Sequence, residues 1–312
     1  MVQLKPEKKL SDANIYTLKY GPKNNQRDKW INYLQQLKDN VHTDVPVFWE
    51  KDLDNPGFDK NSLFIVLDGN KPIGSISGQV ISRSASKAYA YISYFYLRKE
   101  FTKTSLPLRM ILWITKDLEK RGVKEIFTTF PEENKWKFMA FTRQGFTTID
   151  VEVFLQHNLE QIPEREKDSP ISITPARNEE ELKEAIILHN NCFADTNYEP
   201  ITFEEMSYLV KKTDNFDLNQ FLIAHTARGD MGVIHYYLFD NEGWIHGLGV
   251  KPRYRNRGVS KELLSECLTR IKRDRAKRAI ISTVESSLPQ LIYEKNNFIP
   301  FRRNIVMQLG IK

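Results

Sequence analysis

The chain has 312 residues, 40% hydrophobic, 28% charged and 12% aromatic, with only 14 Gly and 14 Pro. At roughly 150 residues per domain this is enough for two cores, and the composition excludes collagen-like, low-complexity and mainly disordered chains. No window approaches the roughly 20 apolar residues of a membrane span, and the opening MVQLKPEKKLSDAN lacks the apolar stretch of a signal peptide, so a cytoplasmic protein with no membrane partner is expected. The net charge of +6 says less than its distribution. Residues 171–250 hold 5 Lys/Arg against 13 Asp/Glu, and residues 251–278 hold 11 against 3, a swing from −8 to +8. Cys192 and Cys267 are too few for a disulfide framework, and the six histidines show no ligand spacing, so no metal is expected.

In chain order, apolar patterning predicts strands over 63–67, 73–80 and 88–97, an amphipathic helix over 108–120, a strand over 126–130 and a short helix over 135–142. HNLEQIPEREKDSP (157–170) is polar, holds two prolines and lacks apolar periodicity, which predicts a linker. It separates expected domains at 1–156 and 171–312. After it come a short strand, ISITP, and a helix capped by Asn178 with Leu182, Ala185, Ile186 and His189 on one face. A helix over 203–211 precedes a three-strand meander, 221–226, 232–239 and 244–250. The loop KPRYRNRGVS then leads into a helix striped by Leu263, Leu264, Cys267, Leu268 and Ile271, followed by a strand (279–284), a helix (288–295) and closing β structure (298–309).

The two halves repeat one plan. FMAFTRQGF ends at Phe146 and QLIYEKNNF at Phe298, 152 residues apart, while FTKTSLP precedes YRNRGVS by 153. A period that long, with elements in one order, indicates two copies of a fold rather than a solenoid. The expected class is α+β, each copy a mixed, mostly antiparallel central sheet flanked by helices.

YRNRGVS lies between a strand end and a helix start, where backbone N–H groups and the helix dipole form an anion site. Gly258 permits close approach of backbone to a phosphate, Arg255 and Arg257 bring charge, and Ser260 offers a hydroxyl. The neighbouring Asn256, Val259 and Lys261 complete the candidate pyrophosphate site. The run RIKRDRAKR (270–278) reads instead as a solvated helix end, since it has no interleaved aromatics for stacking, and nucleic acid is not an expected partner.

The stretch IHGLGVKPRYRNRGVSKELL resembles the acetyl-CoA loop of the GNAT superfamily of N-acetyltransferases, with Val250, Pro252, Arg255, Gly258 and Ser260 at the motif positions. LIYEKNNF supplies the family's Tyr as Tyr293, with Asn297 where Gly is usual and Ser286 where the family often has a cofactor-touching Asn. The first copy keeps Asn134 and Gly145-Phe146 but has Phe141 in place of the Tyr and TKTSLP (102–107) in place of the loop, with Pro107 lacking an N–H. It resembles a GNAT domain with an impaired cofactor loop.

The resemblance implies two tandem GNAT-like domains, acetyl-CoA as cofactor in the second, and a pantetheine arm pairing with the backbone of Leu248 and Val250 between splayed strands. It implies an acetyl group moved to a primary amine of a small molecule or peptide, with Tyr293 as general acid. His246, on the strand before the loop and expected on one face with positions 244, 248 and 250, is the candidate base, and Glu285 is its rival. The acidic stretch points to a cationic acceptor. Two other readings stay open: an aminoacyl-tRNA-dependent aminoacyltransferase of the kind that builds peptidoglycan cross-bridges, and a non-catalytic acyl-CoA sensor. Neither the acceptor nor the oligomeric state, an internal pseudo-dimer included, follows from the sequence.

Overall fold

The computed structural model describes residues 15–19, 26–38, 53, 58–81, 88–196, 200–212 and 216–311. The chain divides into two compact units, one of Met1–Asp54, Phe58–Val151 and Arg303–Lys312, the other of Asn55–Gly57 and Glu152–Arg302.

The first unit contains β1 (Ile15–Lys19), α1 (Gln26–Lys38), β2 (Leu63–Asp68), β3 (Lys71–Ile81), β4 (Tyr89–Leu97), α2 (Leu106–Lys120), β5 (Glu125–Pro131) and α3 (Lys135–Arg143). Its sheet runs β1-β2-β3-β4-β5 and is closed by the last strand of the chain, β12 (Ile299–Gly310). Only β4 and β5 are parallel; the other described pairs are antiparallel. Strand β2 is buried on both faces because it is apolar throughout: Leu63, Ile65 and Leu67 pack with Trp30 and Leu34 of α1, while Phe64 and Val66 join Met110, Ile114 and Leu118 of α2.

The second unit repeats this order. It holds most of β6 (Thr147–His157), then β7 (Ser172–Pro175), α4 (Glu179–Cys192), α5 (Phe203–Lys212), β8 (Phe221–Thr226), β9 (Gly229–Phe239), β10 (Glu242–Val250), α6 (Val259–Arg273), β11 (Arg278–Val284) and α7 (Leu288–Lys295). The strand order is β7-β8-β9-β10-β11, closed by β6, and β10–β11 is its parallel pair. Each half of the sequence therefore gives its sixth strand to the other unit's sheet: β12 pairs with β5 over Asn304–Gly310, and β6 with β11 over Glu152–His157.

These limits differ from those expected from sequence. The cut falls after Val151, and 303–312 belongs with the first unit. The segment 157–170, expected as a linker, packs within the second unit. Buried Glu262 of α6 accepts from Arg165 Nε at 2.9 Å and from Glu166 N at 3.0 Å, and Ser265 donates to the Pro163 carbonyl. Most of the segment's polar side chains are exposed, while His157 and Leu159 are buried and these bonds hold it to α6.

Candidate active site

β10 and β11 pair only over Glu242–Ile245 and Arg278–Ile281. Beyond that point β10 is held by β9 and β11 by β6, so a gap opens between two neighbouring parallel strands. The register of β9 against β10 shifts between Ile245 and Gly247, a bulge centred on His246.

The bulge corrects one expectation. Positions 244, 246, 248 and 250 do not share a face: Leu248 and Val250 pack with Ile245 against the core under α6, whereas Gly247 lies against α4. A Cβ on Gly247 would lie 2.8 Å from His189 Nε2 and 2.9 Å from His235 Cε1, so only glycine lets α4 approach this closely. His246 turns to the same side, its Nδ1 3.1 Å from His235 Nε2. His246 has an exposed edge, and desolvation by the protein packed around the ring lowers its pKa below the ordinary imidazole value.

After β10, a 3-10 turn (Pro252–Tyr254) leads to two left-handed residues, Asn256 (φ 60°) and Gly258 (φ 79°), and Gly258 is the N-cap of α6. The first helical bond at this end is Glu262 N to Gly258 O at 3.1 Å, so the N–H groups of Val259, Ser260 and Lys261 have no carbonyl one turn back. A Cβ built on Gly258 meets nothing within 4 Å. Asn256, Arg257, Gly258 and Lys261 are exposed, Ser260 is half-buried, and Val259 anchors the helix start in the core.

Arg255, expected to offer its charge to a phosphate, is exposed and bonds to residues at the end of α4. Its Nη1 and Nη2 reach Asp195 at 2.6 and 2.9 Å, Nη2 the Cys192 carbonyl at 2.9 Å and Nε the Val250 carbonyl at 3.1 Å. The guanidinium ties the loop to the end of α4 and holds the Asp195 carboxyl below the usual carboxylate range. It also uses one lone pair of the Val250 carbonyl, one of the two positions expected to meet a pantetheine arm.

Tyr293 of α7 is 7% exposed, with its ring 5.8 Å from Phe298, and burial pushes its hydroxyl well above the ordinary tyrosine value. Asn297 adopts the left-handed conformation (φ 65°) that Gly145 (φ 85°) adopts after α3. The matching bonds are Phe298 N to Tyr293 O and Phe146 N to Phe141 O, each 3.1 Å. Ser286 is exposed (φ 58°), its N–H donating to Gln290 Oε1 at 2.6 Å, and the cap of α7 is its neighbour Ser287. Glu285 is half-buried just past the end of β11. His246 thus lies at the bulge within β10, the 255–261 loop follows that strand, and Tyr293 is on the helix after β11. Sequence reasoning missed Asp195 and His235, whose only signal was their residue type, whereas His189 is buried on the helix face expected for it.

Residues 217–300 match the acetyltransferase (GNAT) domain family. The chain carries a GNAT acetyltransferase domain. No curated protein sequence matches. Among solved structures, a GCN5-related N-acetyltransferase from Sphaerobacter thermophilus is 17% identical, with 96% of each chain covered and a TM-score of 0.66. A tandem GNAT protein from the clavulanic acid biosynthesis pathway is 10% identical, with 95% of this chain and 98% of that chain covered and a TM-score of 0.68. Saccharomyces cerevisiae N-myristoyltransferase with bound myristoyl-CoA is 11% identical, with 99% and 81% covered and a TM-score of 0.67. At these identities the structures establish the α+β fold over nearly the whole chain, and the family match locates the acetyltransferase domain in the second unit. No described helix is long and apolar enough to cross a membrane.

Proposed function

We propose that the protein transfers an acetyl group from acetyl-CoA to a primary amine by direct attack, in the GNAT domain of the second unit. The observation that carries this reading is the loop at 255–261. Its helix start is uncapped by side chains, opens on free space at Gly258 and is flanked by the exposed cations Arg257 and Lys261. Those features fit a diphosphate, which a helix N-terminus binds through its free N–H groups and dipole. Asn256 and Gly258 shape the turn, Arg255 fixes it to α4, and the edge of β10 at Leu248 and Val250 borders the gap that would take the pantetheine arm.

When bound, acetyl-CoA supplies an activated acetyl thioester. His246, at the bulge where the strands part, takes the proton that an ammonium acceptor must lose, with Glu285 as the other candidate for that role. Tyr293, protonated at neutral pH as any tyrosine is and more firmly so for its burial, gives its proton to the leaving sulfur. A backbone N–H of the bulged strand is the donor available to a developing oxyanion, and such donors are worth about 3 kcal/mol each. The acidic surplus of residues 171–250 favours a cationic amine, either a small molecule or a peptide.

The test is release of free thiol when the purified chain is mixed with acetyl-CoA and a panel of polyamines, aminated sugars and lysyl peptides. Amine-dependent release is the expected result. Tight CoA binding without turnover on any amine would turn the reading into an acyl-CoA sensor, and salt-sensitive binding of aminoacyl-tRNA but not CoA would turn it into an aminoacyltransferase.

A further inference from the structure

Three of the six histidines meet in the second unit, contributed by α4, β9 and the β10 bulge. His235 is 1% exposed; its ring stacks on Phe221 at 5.1 Å and 11° and meets the His189 ring edge-on at 5.4 Å. His189, also 1% exposed, packs on Phe193 at 4.8 Å. Only His246 reaches the surface, with its Nδ1 on His235 Nε2. A hydrogen bond between two imidazoles needs one N–H and one lone pair, so each ring fixes the tautomer of the other.

We propose that His235 is the positioning residue for His246, holding it with hydrogen on Nδ1 and the Nε2 lone pair free at the point where β10 leaves β11. This rests on the reading of His246 as the base. In that tautomer the His246 Nδ1–H donates to His235 Nε2, and Nε2 is the basic atom. When the acceptor ammonium gives up a proton, its N–H bond breaks and a bond to His246 Nε2 forms. The resulting imidazolium keeps its Nδ1–H on His235 and passes the Nε2 proton to water from its exposed edge. His235 cannot take the charge itself: burial holds it well below the ordinary imidazole value, and the same cause brings His189 to about 4. The roles are thus divided between a buried neutral pair that orients and one exposed ring that titrates. The opposite tautomer would place the only accepting nitrogen against His235, out of reach of an amine.

Long-range 1H–15N NMR of the unmodified protein reads the tautomer without any substitution. The expected spectrum has His246 protonated at Nδ1 and bare at Nε2; a spectrum with His246 protonated at Nε2 alone overturns the proposal. His235→Phe keeps the stacked ring but removes the nitrogen, and should lower kcat about 10–100-fold with the KM for acetyl-CoA changed less than about twofold. His235→Gln, which can still accept a hydrogen bond, should recover most of that loss. Equal kcat in His235→Phe and the parent overturns the proposal. If His246→Ala left kcat intact, the assignment of the base would fall, while the tautomer in the spectrum would still decide whether His235 orients His246.

Discussion

The loop before α2 and the loop before α6 hold the same place in their units, each a strand end, a 3-10 turn and a helix start, yet they treat their N–H groups in opposite ways. In the first unit no residue from 98 to 107 is left-handed, the N-cap Ser105 is in the right-handed region (φ −76°, ψ −8°), and Pro107 has no N–H to offer. Thr104 Oγ1 accepts from Leu106 N at 3.2 Å, so the chain itself takes up one of the N–H groups of this helix start. In the second unit Gly258 is left-handed and the first turn stays open. The units also differ where the Tyr stands. Phe141 is fully buried among Phe95, Phe130 and Phe146, with no polar group, whereas Tyr293 brings a hydroxyl. One fold thus yields a closed copy and an open one through a few residues at a helix start and one ring.

The largest contrast should come from placing a carboxylate at each loop. Gly258→Glu adds negative charge and a side chain at φ 79°, and should weaken CoA binding at least about 100-fold, close to 3 kcal/mol. Ser105→Glu in the first unit should leave it unchanged; calorimetry of both variants checks this, and a loss in the second would make the first unit a cofactor site. Next in size is removal of 303–312. These residues pair with β5 from Asn304 to Gly310 and bury Met307 to 1% exposure, so the first unit should lose on the order of 3 kcal/mol or more, read as a lowered first transition in a denaturant melt. An unshifted melt would mean that β12 is dispensable to that sheet.

Exchanging the two rings sharpens the comparison further. Tyr293→Phe should cut kcat by about 100-fold while leaving cofactor affinity and stability nearly unchanged, and unchanged turnover would remove Tyr293 from the mechanism. Phe141→Tyr should cost about 1–3 kcal/mol, because a hydroxyl placed in that apolar site has no partner, and a thermal melt reads it. The smallest effect concerns Lys137 of the first unit. Its Nζ lies over the rings of Phe95, Tyr96 and Trp136 at 5.8, 5.6 and 5.7 Å, and burial lowers its pKa from 10.5 to about 8. Between those values the unfolded chain holds more protons, so this group makes the fold more stable as pH rises from about 8 to 10.5. The difference in Tm between the parent and Lys137→Met should change across that window, and a constant difference would contradict the burial of the amine.

Where a signal was local, the sequence carried it. The helix at Leu288–Lys295 and the strand at Phe221–Thr226 match their apolar patterns, and the left-handed Asn297 follows from residue type. The parallel strand pair and its gap followed from the family resemblance. What escaped was set by distant partners. The alternation at 244–250 contains no mark of the bulge at His246, because a bulge depends on the partner strand β9. The pairing of Arg255 with Asp195 escaped because the two lie 60 residues apart in sequence. The exchange of β6 and β12 was hidden for the same reason, since a strand's side-chain pattern shows which face is buried and not which sheet it joins.

The claim most exposed to test is that the open loop after β10 binds the cofactor and its closed counterpart after β4 does not. Isothermal titration of the whole chain with acetyl-CoA measures this directly. The account predicts one site per chain, lost in Gly258→Glu. Two sites per chain, or one site that survives Gly258→Glu unchanged, would contradict it.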